Sequence, residues 1–423
     1  MTTSPIWHPF TQHGLDEAVP RIVSASGARL TCEDGSELLD GISSWWVITH
    51  GHCDPRIAAA VAAQAGQLDQ IIFAGYSHPQ ADRLATALVG MAPAGLGHVF
   101  FSDSGSTAVE VALKMALGYW HNRGEPRHRI LVLEHSYHGD TIGAMSVGER
   151  GVFNRPYAPL LFDVATVPFP ATGAEQASLD HLEALCAGPD KPAAFIVEPL
   201  VLGSGGMLVY PPDILRAVHA ICARHGVLFI ADEVMTGWGR TGTLFACEQA
   251  GIAPDLLCLA KGLTGGLVPL AATLASAAIF EAHRDTDRAR MFFHSSSFTA
   301  NPICCAAANA NIAIWQSEDV PARIASLGAA LDRGLAMLAA DPALRNPRRI
   351  GGIAAIDLVV EDAGYLSDVA PMLRAQALAR GLLLRPLGNT IYLMPPYCTS
   401  DAEIAAAFAI IGEIVAMVPR GRA

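Results

Sequence analysis

The chain has 423 residues, of which 51% are hydrophobic, 16% charged and 7% aromatic. Its apolar half supplies a large core and excludes a disordered chain, and the length suits one large α/β domain with a smaller companion. With 28 Lys and Arg against 40 Asp and Glu, the formal charge of −12 disfavours binding to nucleic-acid phosphates or anionic lipid surfaces.

The start of the chain, with Trp7, His8 and Pro9, lacks the charged and apolar regions of a signal peptide. Further on, short β-branched runs alternate with helical stretches, the pattern of a mostly parallel sheet covered by helices. Strands are predicted over residues 98–102, 129–134, 194–198, 227–232, 256–260 and 271–275. Helices are predicted over 106–121, 212–225 and 302–315, with Ser106 at the start of the first and a Pro opening the other two. Beyond about residue 316, helices over 320–340 and 368–380 bracket short strands near 353–359, 382–385 and 390–394. The expected division is an N-terminal segment (1–50) packing with a small α+β domain (316–423), and a large domain (51–315). The most apolar stretch, 404–418, is shorter than the roughly 20 residues of a membrane span and carries Glu413, so it reads as a buried terminal helix. Nine cysteines without framework spacing read as reduced thiols of a cytoplasmic protein.

Four short motifs carry chemistry. Phe101-Ser102-Asp103-Ser104-Gly105-Ser106 precedes a helical run, and backbone N–H groups at such a start can cradle an anion. Tyr137, in Ser136-Tyr137-His138-Gly139-Asp140, follows a strand and could stack on a flat ligand or simply fill a turn. Val227 to Ala231 form an apolar strand that delivers Asp232 and Glu233 at its carboxyl end, where open α/β sheets bind ligands. A carboxylate there needs a partner, whether a ligand or the cap of the next helix. A second apolar strand ends at Lys261, and a Lys so placed loses its proton easily, as a carbonyl-bonding lysine requires; a surface Lys is the plainer alternative. A phosphate cradle, an aromatic ring, a strand-end Asp and a Lys are together what pyridoxal phosphate needs. His50-Gly51-His52-Cys53 and His135-x-x-His138 lack the second pair of a zinc site, so no metal is expected.

The order Ser-Gly-Ser (104–106), Tyr-His-Gly (137–139), Ile-Ala-Asp-Glu (230–233), Gly-Trp-Gly-Arg-Thr-Gly (237–242) and Leu-Ala-Lys-Gly (259–262) resembles the class III, ω-type aminotransferases over essentially the whole chain. The resemblance implies the α/β, fold type I architecture of transferases dependent on pyridoxal 5′-phosphate. It also implies a homodimer with shared sites. By the same resemblance Lys261 bonds the cofactor and moves the proton, Asp232 pairs with the ring nitrogen, and Tyr137 lies against the ring. Gly105 and Ser106 hold the phosphate, and His294-Ser295-Ser296-Ser297 aligns with a stretch that reaches the partner's cofactor. Ser295, Ser296 and Ser297 replace a usual Gly, Pro and Thr.

Within the class, Trp7-His8-Pro9, Ser43-Ser44-Trp45-Trp46, Phe245-Ala246-Cys247-Glu248, Arg385-Pro386 and Leu393-Met394-Pro395-Pro396-Tyr397 resemble the branch that aminates 8-amino-7-oxononanoate in biotin synthesis, with S-adenosylmethionine as donor. By that resemblance Arg385 grips the substrate's carboxylate, while Trp45 and Trp46 wall its chain and the adenosyl group, with Tyr137, Lys261 and Ser295 nearby. Phe10 also belongs to that site, but stands where a Tyr is usual, a departure resembling relatives that take lysine as donor. A 4-aminobutyrate or ω-amino acid:pyruvate type of activity is the alternative within the class.

Overall fold

The computed structural model describes residues 5–15 and 17–418. A four-stranded sheet opens the chain. Its members are β1 (Ile22–Ser26), β2 (Arg29–Cys32) and β3 (Glu37–Asp40), and a strand from near the other end of the chain completes it. The central sheet holds β4 (Leu96–Ser102), β5 (Ile130–Leu133), β6 (Ala165–Val167) and β7 (Ala194–Val197). After a small hairpin of β8 (Val201–Leu202) and β9 (Leu208–Val209) come β10 (Leu228–Asp232), β11 (Leu256–Leu259) and β12 (Ala271–Ser276). The seven strands lie in the order β4-β12-β11-β10-β7-β5-β6, and only β12 runs against the others. A third sheet joins β13 (Leu344–Ile350) to β14 (Ile353–Leu358) and β16 (Thr390–Leu393), while β15 (Leu382–Leu383) pairs in parallel with β3.

The apolar runs explain the central sheet. In β5, β7, β10 and β11 every residue is buried. Successive side chains point to opposite faces. Leu131, Phe195, Phe229 and Leu257 enter one core, whereas Ile130, Ile196, Ile230 and Cys258 enter the other. The helices at Gly105–Asn122, Pro212–His225 and Pro302–Ser317 form where predicted. The terminal helix Asp401–Ala416 buries Ile404, Phe408, Ile411 and Ile414, in keeping with a core helix. Among the described residues, no helix is long and apolar enough to cross a membrane.

Two expectations need correction. Ser106 is not the cap of its helix. Ser104 is, in a reciprocal capping box with Thr107, which moves Ser106 into the first turn. The segment predicted as a strand over 382–385 is only Leu382–Leu383, and it pairs with the N-terminal β3 rather than with its chain neighbours in the third sheet.

Candidate active site

The loops at the carboxyl ends of β4, β5, β10 and β11 converge on a cavity of about 370 Å3. Asp103 to Ser106, Tyr137, His138, Gly139, Glu198, Asp232 and Lys261 line it, with Trp46 as a wall. The four sequence motifs therefore meet at one place.

The helix starting at Gly105 presents its N-terminus to this cavity. The Ser104 hydroxyl accepts from the Thr107 amide, and Thr107 Oγ1 accepts from the Ser104 and Asp103 amides. The first-turn amides of Gly105 and Ser106 have no helical carbonyl to meet and carry the positive end of the helix dipole, a ready cradle for phosphate. Gly105 is required by proximity, since a Cβ there would sit 2.6 Å from Val234 Cγ1. At Gly139 the backbone is left-handed (φ +132°) and a Cβ would overlap the Ser106 hydroxyl.

Asp232 ends β10 and is buried. Its Oδ1 accepts from the Val234 amide at 3.1 Å, and its Oδ2 lies 2.6 Å from His138 Nδ1. With a carboxylate as acceptor, Nδ1 carries the proton, and His138 Nε2 is left buried without a protein partner. Glu233, the other carboxylate of the pair, takes the structural alternative. It accepts from the Ala246 and Cys247 amides and from Thr236 Oγ1. Glu198 lies beyond β7. It accepts from the Tyr137 and Gly203 amides, and burial pushes its carboxyl up to about 7, the nearby His138 opposing that rise. Burial, reinforced by Asp140, raises the Tyr137 phenol far above its usual range, so it stays protonated.

Lys261 follows β11 in a left-handed conformation (φ +44°). Burial lowers its amine from 10.5 to about 8, against the opposing pull of Asp232 and Glu198. Nζ rests 4.6 Å from the centre of the Trp46 ring, whose indole N–H donates to the Tyr392 hydroxyl at 2.9 Å.

The two tryptophans do not share a cavity. Trp46 faces Lys261, while Trp45 lines a second cavity of about 370 Å3 with His8, Ile22, Leu38, Ser44 and Arg385. The Arg385 guanidinium lies 4.7 Å over the Trp45 ring and donates to the Phe10 carbonyl at 3.4 Å. The Phe10 ring meets Trp45 and Phe153 edge-on. What separates the indoles is the backbone: Ser43, Ser44, Trp45 and Trp46 all have positive φ. Left-handed helical turns cost roughly 1–2 kcal/mol per residue, so this one must be held from outside. Buried Arg240 takes part, donating to the carbonyls of Trp46, Ile48 and Pro395, a structural role.

Ser295, Ser296 and Ser297 are not brought to this cavity. They lie on a surface stretch where the Ser297 carbonyl accepts from Gln70. The histidines of the two metal-like motifs are engaged elsewhere, His50 with Asn311, His52 with Asp40, His135 with Glu149 and His138 with Asp232. Sequence reasoning missed His138 and Glu198. The Tyr-His-Gly motif had placed His138 beside the site, but nothing in the sequence pairs it with a residue 94 positions away.

Comparison with known proteins settles the class. A family model described as Aminotransferase class-III matches residues 11–415. The chain belongs to the class III aminotransferases. It is 49% identical to the adenosylmethionine-8-amino-7-oxononanoate aminotransferase of Synechococcus elongatus, over 97% of this chain and 98% of that one. Its similarity to the enzyme of that name from Mycobacterium leprae is 39%, over 98% and 95%. Among solved structures, the adenosylmethionine-8-amino-7-oxononanoate aminotransferase from Methanocaldococcus jannaschii superimposes with a TM-score of 0.92 at 32% identity, covering 97% of both chains. An amine transaminase from an uncultivated Pseudomonas species in the PLP-bound form gives a TM-score of 0.92 at 34% identity, covering 98% and 99%. This class III aminotransferase thus has the fold type I architecture, and its cavity fits the cofactor of the class, pyridoxal 5′-phosphate. Free first-turn amides, a Gly that admits no Cβ, an aimed carboxylate and an amine of lowered basicity meet there.

Proposed function

We propose that this aminotransferase converts 8-amino-7-oxononanoate to 7,8-diaminononanoate in biotin synthesis, with S-adenosylmethionine as amino donor. Arg385 carries the reading. Its guanidinium lies on Trp45 in the second cavity, and among the described residues no carboxylate pairs with it. A planar cation that no carboxylate neutralises among the described residues suits a substrate carboxylate, which it can hold through two parallel bonds. The apolar walls of the second cavity, Ile22, Leu38 and Trp45, suit a methylene chain. The near relatives named for this reaction support the same choice.

Pyridoxal phosphate would be held at its phosphate by the Gly105 and Ser106 amides, at its ring by Tyr137, at its ring nitrogen by Asp232 and at its aldehyde by Lys261. When bound, it supplies an electron sink for negative charge developing at the substrate's reacting carbon. Lys261 Nζ, with its basicity lowered by burial, takes and returns the proton at that carbon, a role worth about 10²–10⁴ in rate. His138 aims Asp232, and Glu198 fixes the backbone of Tyr137. Trp46, lying against the amine, limits water on that side.

The same reading includes a cytoplasmic homodimer. Ser295, Ser296 and Ser297 lie on a surface stretch that exposes Met291, Phe293 and Phe298, which a second copy would cover, bringing those serines to its cofactor. All nine cysteines are free thiols, as a reducing compartment keeps them. One observation favours lysine as donor instead: Phe10, packed against Trp45, has no hydroxyl to offer an adenosylmethionine group.

The test is a donor screen on the cofactor-loaded enzyme with 8-amino-7-oxononanoate, reading 7,8-diaminononanoate by mass spectrometry. Product with S-adenosylmethionine is the expected result, and product with lysine alone moves the donor. No product with either, alongside transamination of 4-aminobutyrate, would overturn the acceptor.

A further inference from the structure

Neither cavity is lined by Asp40, yet no exposed surface remains on it, and the chemistry above gives it no task. It is the last residue of β3 and faces the left-handed turn that separates the two indoles. Its Oδ1 accepts from the Ile42 amide at 3.2 Å and the Ser44 amide at 3.0 Å. Its Oδ2 accepts from the Ser44 hydroxyl and from His52 Nε2, both at 2.8 Å. Four donors therefore converge on one carboxylate, two of them from Ser44 in the turn and one from Ile42 just before it. Burial alone would raise this carboxyl; the bonds from His52 and Ser44 outweigh that and hold it below its usual value.

Register adds a second constraint. Asp40 pairs with Leu383 across the parallel β3–β15 ladder, and Arg385 follows two residues later. The residue that fixes the turn carrying Trp45 is thus in register with the strand that delivers the guanidinium lying 4.7 Å over it. On the far side of the turn, Arg240 clamps the Trp46 carbonyl at 3.1 Å.

We propose that Asp40, braced by His52, is a positioning residue that sets acceptor specificity by holding Ser43–Trp46 left-handed, so that Trp45 meets Arg385 while Trp46 meets Lys261. This rests on Arg385 as the acceptor's carboxylate site. Loosening the turn moves Trp45 away from the tail site, whereas Trp46 keeps its bonds to Tyr392 and Arg240. The consequence falls on acceptor binding more than on turnover.

The experiment uses the cofactor-loaded enzyme and three variants, Asp40→Asn, His52→Ala and His52→Gln, the last placing an amide donor where the imidazole was. Near-ultraviolet circular dichroism reads the indoles. Quenching of tryptophan fluorescence reads the binding of nonanoate, a saturated monocarboxylate of the acceptor's chain length. Asp40→Asn and His52→Ala are expected to alter the indole bands and weaken nonanoate by about tenfold or more, the scale of one lost charge-assisted bond. They should also raise KM for the acceptor more than they lower kcat, and His52→Gln should restore most of each property. Unchanged indole bands in both disruptive variants, or a loss confined to kcat, overturns the proposal. If Asp40→Asn does not fold, His52→Ala, which removes one donor of four, decides alone. The circular dichroism stands whatever nonanoate does, so a wild-type enzyme indifferent to nonanoate would count against the acceptor assignment and not against the turn.

Discussion

Replacing Lys261 with Met keeps the length and apolar stem of the side chain and removes its amine. Burial lowers that amine from 10.5 to about 8. Each pKa unit is worth about 1.4 kcal/mol, so keeping the charged form in the cavity costs roughly 3–4 kcal/mol relative to the unfolded chain. The folded value lies below the unfolded one, and the unfolded chain therefore holds the extra proton between pH 8 and 10.5. The cost is complete below that window, shrinks as pH rises through it and vanishes above. Cofactor-free Lys261→Met should therefore melt above cofactor-free wild type at neutral pH, by a few degrees in a chain of this size, with the gap closing towards pH 10.5. Differential scanning fluorimetry of both proteins, stripped of cofactor and buffered across the window, makes the comparison. A variant that melts no higher at neutral pH, or a gap that does not change with pH, would refute the assignment of a strained, buried amine. The same substitution should lower turnover at least about a hundredfold, the lower range of a lost general base.

Gly105→Ala should weaken pyridoxal phosphate by about tenfold or more through overpacking against Val234, measured by fluorescence titration, and Gly105→Ala with Val234→Ala should recover most of it. A double variant as weak as the single one would contradict the steric origin. Arg385→Leu should raise KM for 8-amino-7-oxononanoate about ten- to a hundredfold with a smaller change in kcat, as expected for one lost charge-assisted pair; steady-state kinetics with an unaltered KM would remove Arg385 from the tail site. Phe10→Tyr should shift relative kcat/KM towards S-adenosylmethionine over lysine, and an unmoved ratio would show that the ring's hydroxyl does not govern the donor.

The central sheet was legible because burial on both faces leaves continuous apolar runs, and because Pro212 and Pro302 mark helix starts directly. Asp232 and Lys261 were legible for the same reason, as charged residues ending such runs. The N-terminal sheet was not: β1 is almost wholly exposed, so the short alternation Val23-Ser24-Ala25-Ser26 marks no buried face. Nor was the cap at Ser104, since Ser104, Ser106 and Thr107 all have the chemistry of a cap and only geometry selects among them. The division of labour between Trp45 and Trp46 depends on backbone torsions that side-chain patterning does not encode, and the His138–Asp232 and His52–Asp40 bonds join segments that the sequence leaves apart.

The reversed strand β12 has a mechanical corollary. Because it returns beside β11 without a crossover helix, the link 260–270 that bears Lys261 is anchored to adjacent rungs at both ends, and its last residues, Pro269 and Leu270, themselves wall the cavity. The amine is thus mounted on a link fixed at both ends to one sheet. Efforts to widen the enzyme's acceptor range would do better to recut the outer wall around His8 and Ile22, where the second cavity opens to the surface, and leave that mounting alone.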